Sequence, residues 1–272
     1  MVNSMIKLIA IDLDDTLLDT NKDISNDNIL SINYAIKQGV RIVIASGRPF
    51  FRVQPILKQL QLDNDDNYAI SYNGAYISNG TNTKIIKKDV LNNQDINAIV
   101  GEITKYNFNF TVYVDDNIYT SGISQALKDK AVFRGINFKH LTIENINKLD
   151  YANKIIIVDE EEKIRKHVDE IRYNINGKYN VLKSASNFLE FLTINSNKGI
   201  ALKQLTEYLH LTKDQVMAIG DEENDAPMFE VASTKVAMAN ANPVLKQKAS
   251  FITKDQEHSG VAYAIYTLLQ NK

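Results

Sequence analysis

The chain has 272 residues, 44% of them apolar and 24% charged, with 31 Lys and Arg set against 33 Asp and Glu for a formal net charge of −2. That length allows one large domain or two of ordinary size, and the composition is globular. A balanced charge without a basic run excludes a general affinity for nucleic acid or an anionic membrane surface, and the absence of Cys excludes disulfides, thiolate metal sites and a Cys nucleophile.

The N-terminal apolar run is too short, and too soon followed by acids, for a signal peptide, and no apolar stretch reaches the roughly 18 residues a membrane span needs. The sequence therefore predicts a soluble cytoplasmic protein. Ile6 to Ile11 reads as a strand buried on both faces. It ends in Asp12-Leu13-Asp14-Asp15-Thr16, so carboxylates stand at its carboxyl end, where ligands bind in an open parallel sheet. Two such charges about 4 Å apart repel by about 4 kcal/mol at an effective dielectric near 20. Asp12 and Asp14 therefore share a proton, share a cation, or belong to a solvated acidic turn. A helix-loop-helix calcium site does not fit. It needs Gly at its sixth position and Glu at its twelfth, and this chain has Leu17 and Asp23 there, behind a strand.

Ser25 is placed to cap a helix from about Asn26 to Gln38, with Ile29, Ile32 and Ile36 on one face and Gly39 as its stop. A second buried strand, Val40 to Ala45, ends in Ser46-Gly47-Arg48-Pro49, and Pro49 suits the first turn of a helix to about Leu60. This strand-helix-strand unit puts Ser46 beside Asp12 at one edge of the sheet. A third strand, Tyr68 to Tyr72, ends in Asn73-Gly74-Ala75, and a hairpin follows from Tyr76 to Lys87. Asn79-Gly80-Thr81 fits a glycosylation sequon but reads as its tight turn.

From about Lys88 to Asn187 strand-like segments (Phe108 to Val114, Ile118 to Ser121, Lys154 to Val158, Tyr179 to Ser184) alternate with helical ones (Gln94 to Tyr106, Glu160 to Ile175), with few chemistry-bearing residues. This stretch reads as an inserted domain, and Asp115-Asp116-Asn117 within it as a hairpin turn. A strand from Phe188 to Ile194 leads to Lys198-Gly199 and a helix to about Leu209. Lys198 opens that helix at the end its dipole disfavours for a cation, a sign of another task. Val216 to Ile219 is again a buried strand with acids past its carboxyl end, in Gly220-Asp221-Glu222-Glu223-Asn224-Asp225. Two strand tips of this kind argue against coincidental acidic turns. Lys235 to Met238, Phe251 to Thr253 and a helix from Ser259 to Leu269 complete the chain. The four His residues show no metal-ligand spacing, and His258, in a loop near the last strand, is the best candidate among them for a functional role.

Taken together, Asp12-Leu13-Asp14-Asp15-Thr16, Ser46-Gly47-Arg48, Lys198-Gly199 and the run from Gly220 to Asp225 resemble, in order and spacing, the four motifs of the haloacid dehalogenase-like superfamily. Asn73-Gly74-Ala75, the run from Val236 to Ala241 and Gly260-Val261-Ala262 are similar to further landmarks of its Cof-type phosphatase branch, which carries a large cap between the second and third motifs. The resemblance implies an α/β fold: a Rossmann-like parallel-sheet core domain over residues 1–87 and 188–272, and an inserted α/β cap domain over 88–187 that sets substrate specificity. Two departures stand out. Asp15 occupies a position that is usually Gly, and the acidic residue before the late Gly-Val is displaced in Glu257-His258-Ser259-Gly260.

The resemblance further implies a Mg²⁺-dependent phosphatase acting on small phosphomonoesters, often sugar phosphates. Asp12 would be the nucleophile that forms an aspartyl phosphate, and Asp14 would protonate the leaving alcohol and later activate water. Mg²⁺ would be held by Asp12, the Asp14 backbone carbonyl and Asp221. Ser46 and Lys198 would hold the transferring phosphoryl oxygens, and Asp225 would anchor Lys198. Asn224 would act behind them or on the phosphate. Gly47, Arg48 and Asn73 would lie toward the substrate, with an ordinary structural ion pair the alternative for Arg48. A sugar phosphomutase on the same core and a non-catalytic phosphate sensor are the competing readings. The expected partner is a small-molecule phosphomonoester, with no nucleic acid or membrane, on a monomer or small homo-oligomer.

Overall fold

The computed structural model describes residues 6–125, 127, 137–175 and 177–270. The chain divides into two compact units, Met1–Lys88 with Asn197–Lys272, and Asp89–Ser196. In the first, β1 (Leu8–Asp12), α1 (Asn26–Lys37), β2 (Arg41–Ala45), α2 (Phe50–Gln59) and β3 (Tyr68–Ser71) alternate, followed by a hairpin of β4 (Tyr76–Asn79) and β5 (Ile85–Lys88). β1 is buried along its whole length, as expected of a central strand in a parallel sheet covered on both faces.

The second unit interrupts the first in sequence. Its elements are β6 (Leu91–Asn92), α3 (Asn93–Ile103), β7 (Thr111–Val114), β8 (Asn117–Thr120), β9 (Phe138–His140), β10 (Tyr151–Ala152), β11 (Lys154–Val158), α4 (Glu161–Asn174), β12 (Tyr179–Ala185) and β13 (Phe188–Thr193). A six-stranded sheet runs in the order β12-β13-β11-β7-β8-β9. One face of that sheet, with Val112, Ile155, Ile157, Leu189 and Phe191, packs on Ile96, Ile99, Ile164 and Ile171 from α3 and α4. The strand at Phe188, assigned above to the core, is in this sheet. β13 pairs antiparallel with both β11 and β12, so the boundary moves from residue 188 to Asn197. Its alternation of Leu189 and Phe191 fits either sheet, and nothing local to the strand chooses its partners.

The first unit then resumes with α5 (Lys198–Tyr208), β14 (Val216–Gly220), α6 (Ala226–Val231), β15 (Thr234–Ala237), α7 (Pro243–Lys248), β16 (Phe251–Ile252) and α8 (Gly260–Gln270). Its sheet has the order β16-β15-β14-β1-β2-β3-β4-β5. The strands from β16 through β3 run parallel, and β4 and β5 are antiparallel. In register, Asp12 stands beside Ala45, Ile11 beside Ile219 and Gly220 beside Ala237. Because the strands are parallel, the tips after β1, β2, β3 and β14 share one edge.

Two local details differ from expectation. The face that α1 buries is Asn28, Ser31, Ile32 and Ala35, with Ile29 and Ile36 only half-buried. Asn28 is polar there because its side-chain oxygen accepts the Ala262 N–H at 2.9 Å. Pro49 is the N-cap of α2, one residue ahead of the helix. The sequon does mark a turn: Asn79 is buried and its amide donates to Asp65 at 2.7 Å and Thr83 at 3.0 Å. Among the described residues no helix is long and apolar enough to cross a membrane.

After β3 the chain makes three successive left-handed steps, at Tyr72 (φ 52°), Asn73 (φ 52°) and Gly74 (φ 97°). A Cβ on Gly74 would lie 2.2 Å from the Asn197 carbonyl oxygen, directly before the helix that opens with Lys198. Gly74→Ala should therefore cost about 3 kcal/mol or more, read as a lower urea midpoint at unchanged slope. A loss below about 1 kcal/mol would show that the loop yields instead.

Candidate active site

Four strand tips supply the site. β1 ends at Asp12 and then turns, with Leu17 and Leu18 donating backbone N–H groups to Leu13 at 3.2 and 2.9 Å. This turn ends the strand's alternation, so Asp12 and Asp14 do not stay side by side. Asp12 is 6% exposed and accepts a hydrogen bond from Lys198 Nζ, which is 1% exposed. The same ammonium donates to Asp225 Oδ1 at 2.6 Å. Asp225 Oδ2 in turn accepts the backbone N–H groups of Asp221 at 3.0 Å and Glu222 at 3.1 Å. One carboxylate thus anchors Lys198 and shapes the loop that carries Asp221.

Asp12, Asp221 and Asp225 offer carboxylate oxygens within 4.8 Å of one another, all from buried residues. Three carboxylates against one ammonium leave a formal surplus of two negative charges in a buried place. Burial first, then the charge of Asp225, push the Asp12 carboxyl well above the usual carboxylate range, with Lys198 opposing. The same two causes push Asp221 up to about 7, against a 2.6 Å hydrogen bond from the Thr16 hydroxyl. Burial works against the Lys198 charge, yet Asp12 and Asp225 outweigh it and hold that amine above the ordinary lysine range. An all-oxygen cluster with this surplus fits a hard divalent cation. Both Asp225 oxygens already accept hydrogen bonds, which leaves Asp12 and Asp221 as the carboxylates that could hold it.

Asp14 lies in a different environment. Its Oδ2 accepts from Arg48 Nε at 2.9 Å and its Oδ1 from Arg48 Nη2 at 2.6 Å, and Lys22 Nζ lies 3.3 Å from Oδ1. Burial opposes its ionisation, but the hydrogen bonds and charge of Arg48, with Lys22 behind them, hold it below the usual range. The crowded partners of Asp12 are therefore Asp221 and Asp225, and not the sequence-adjacent Asp14.

Ser46 is buried and accepts the Arg48 N–H on its Oγ at 3.1 Å. Its carbonyl accepts the Asn73 N–H at 3.0 Å, and Asn224 Nδ2 donates to Asn73 Oδ1 at 3.2 Å. A Cβ on Gly47 would meet the Asn73 amide at 3.0–3.3 Å, so these three loops are closely fitted. Asp15 adopts φ 60° and its carbonyl accepts Asn240 Nδ2 at 2.8 Å. His258 is not gathered in: its side chain is 73% exposed and pairs with Asp255 at 2.6 Å in the loop before α8. Thr16 and Lys22 were not singled out from the sequence. Thr16 had a signal, since it closes the first acidic motif, whereas Lys22 is one loop lysine among many.

A model of the haloacid dehalogenase-like hydrolase family matches residues 9–265. A Streptococcus pyogenes serotype M6 protein is 33% identical over 96% of this chain and 97% of its own. The Bacillus subtilis protein YwtE, named as a 5-amino-6-(5-phospho-D-ribitylamino)uracil phosphatase, is 29% identical over 98% of this chain and 99% of its own. Among solved structures, a haloacid dehalogenase-like hydrolase from Bacteroides thetaiotaomicron superposes with a TM-score of 0.87 at 29% identity, covering 97% of this chain and 99% of that one.

The charge surplus sets a pH dependence. A carboxyl raised to about 7 binds its proton more tightly folded than unfolded, so through Asp221 the metal-free protein loses stability as pH rises from about 4 to 7. A divalent cation needs that group ionised. The rise in Tm on adding excess Mg²⁺ should therefore be several degrees at pH 8 and much smaller at pH 5.5, measured by thermal melts; an equal rise at both would contradict the assignment. Lys198→Met should cost about 3–5 kcal/mol at pH 8, by stranding two buried carboxylates. The deficit should shrink at pH 5, where protonation relieves them.

Proposed function

This chain belongs to the haloacid dehalogenase-like hydrolase family and is a phosphoric monoester hydrolase, and from that premise we propose Mg²⁺-dependent hydrolysis of small phosphomonoesters, sugar and polyol phosphates foremost, through an aspartyl phosphate. The observation that carries this reading is the buried cluster of Asp12, Asp221 and Asp225 around one ammonium. It combines a nucleophile, a cation site and a fixed positive charge at the carboxyl edge of a parallel sheet.

Asp12 attacks phosphorus in line with the ester oxygen. The Asp12 O–P bond forms as the P–O bond to the alcohol breaks, and the electron pair stays on the alcohol oxygen, which takes the proton that Asp14, entering this step in its protonated form, carries. In the second half Asp14 takes a proton from water, the water oxygen bonds to phosphorus and the Asp12 O–P bond breaks. Orthophosphate leaves and Asp12 is restored. Lys198 and Ser46 hold the phosphoryl oxygens, where fixed donors stabilise developing charge. Asp12, Asp221 and the Asp14 backbone carbonyl would hold Mg²⁺, which when bound offsets the repulsion between the carboxylate and the phosphate dianion. Gly47, Asn73 and Asn224 line the substrate side of this arrangement. The second unit, Asp89–Ser196, is assigned the selection of the leaving group.

Phosphate release from a panel of sugar and polyol phosphates should require Mg²⁺ and stop with chelator. It should fall by at least about a thousandfold in Asp12→Asn. Release that persists in that variant would remove Asp12 as nucleophile, and an isomerised ester in place of free phosphate would convert the reading to a mutase.

A further inference from the structure

The mechanism above gives Asp14 the leaving group, yet the structure shows both of its carboxylate oxygens already taken by one side chain. Arg48 donates Nε to Oδ2 at 2.9 Å and Nη2 to Oδ1 at 2.6 Å, the paired fork that a guanidinium offers a carboxylate or phosphate. Its side chain is 14% exposed and that of Asp14 40%, so the arginine is the better-buried partner and the acid lies on the open side. Lys22 Nζ stands 3.1 Å from Asp15 Oδ1 and 3.3 Å from Asp14 Oδ1. Two carboxylates and two cations are thus balanced here. Held in this fork, the Asp14 carboxylate is turned to Arg48 and not to a departing alcohol.

We propose that Arg48 is a latch on Asp14, released when a second anionic group on the substrate, a carboxylate or phosphate carried by the leaving group, takes the guanidinium in its place. This rests on the phosphatase reading and narrows its substrate class. In the exchange the incoming anion takes the place of Asp14 on the guanidinium, while Lys22 stays with Asp14 and Asp15. A neutral hydroxyl offers a weaker partner than the charge-assisted fork it would have to displace. The transferring phosphoryl group is not the competitor, since Lys198 and Ser46 already serve it from the Asp12 side. An anion reaching Arg48 beside Asp14 sits where the leaving group departs. Arg48 is accordingly a positioning and specificity residue: it selects esters by whether they free the acid.

The test compares propyl phosphate with 3-phosphooxypropionate, the same ester ending in a carboxylate in place of the methyl, in wild type, Arg48→Ala and Arg48→Lys with Mg²⁺. In wild type, kcat for the carboxylate ester should exceed that for propyl phosphate by about tenfold or more. In both variants the two kcat values should converge to within about threefold, partly because propyl phosphate gains once Asp14 is no longer held. Wild-type kcat values already equal, or a preference that survives in both variants, overturns the latch. A preference confined to KM also overturns it and leaves Arg48 an ordinary binding contact. Equal kcat values in wild type that fall together in the variants would point to the transferring phosphate as the partner of Arg48, against the proposal. No release from either ester or from the wider panel, in protein with a normal melt, would instead count against the phosphatase reading.

Discussion

The structure of the site depends on one buried ammonium. Lys198 opens a helix at the end where the backbone dipole disfavours a cation, and it is 1% exposed. Taken alone, a charge so placed costs several kcal/mol. It is tolerated because Asp12 and Asp225 meet it from two different strand tips. The pairing does more than offset that cost: Asp225 also accepts the N–H groups that open the Asp221 loop, so the ammonium joins β1, β14 and α5 at a single point. Close backbone approaches allow this. A Cβ on Gly220 would lie 2.6 Å from the Asp225 carboxylate, and one on Gly199 would lie 2.4 Å from the Pro227 carbonyl oxygen.

The same arrangement separates carboxylates of one chemical type into different tasks. Asp12 and Asp221 are crowded, buried and pushed upward. Asp14, two residues from Asp12, is held down by Arg48 and Lys22. Environment rather than residue type pushes the ionisation of two like acids in opposite directions. Here the division follows from the turn after Asp12, which sends the second side chain toward the β2 loop. An unbroken strand would have kept both on one face and forced them to share one environment.

Much of this was legible in the sequence because two buried strands both stop at acids, which argues against coincidental acidic turns. The tips after β1 and β2 could be placed on one edge from strand-helix-strand spacing, while the tip after β14 was read only as acids past the carboxyl end of a buried strand and tied to the site through the family resemblance. What could not be read is which partner a side chain chooses. Asp12 and Asp14 look like the crowded pair in one dimension, yet Asp12 crowds with Asp221 and Asp225, more than 200 residues away. The strand at Phe188 has the same alternation whichever sheet it joins. The isoleucines of α1 suggested a buried stripe, and Ile32 is buried, but Asn28 shares the inner face because a backbone N–H from α8 needs its oxygen. Thr16 gained its meaning only through the fold, which brings Asp221 within 2.6 Å of its hydroxyl.

Asp15 shows how a departure from a family pattern can be absorbed locally. The position is usually Gly, and the backbone there is left-handed at φ 60°, a conformation that costs most side chains 1–3 kcal/mol, an order-of-magnitude figure, and costs Asp and Asn less than most. The carbonyl keeps its place by accepting Asn240 Nδ2, so the loop follows the path a Gly would have allowed. What the substitution adds is a charge beside Asp14. Lys22, itself at φ 68° in the same connection, reaches both acids and offsets that charge. Asp14 thereby sits between two positive groups, Arg48 and Lys22, where Gly at position 15 would give Lys22 one acid fewer to hold it there.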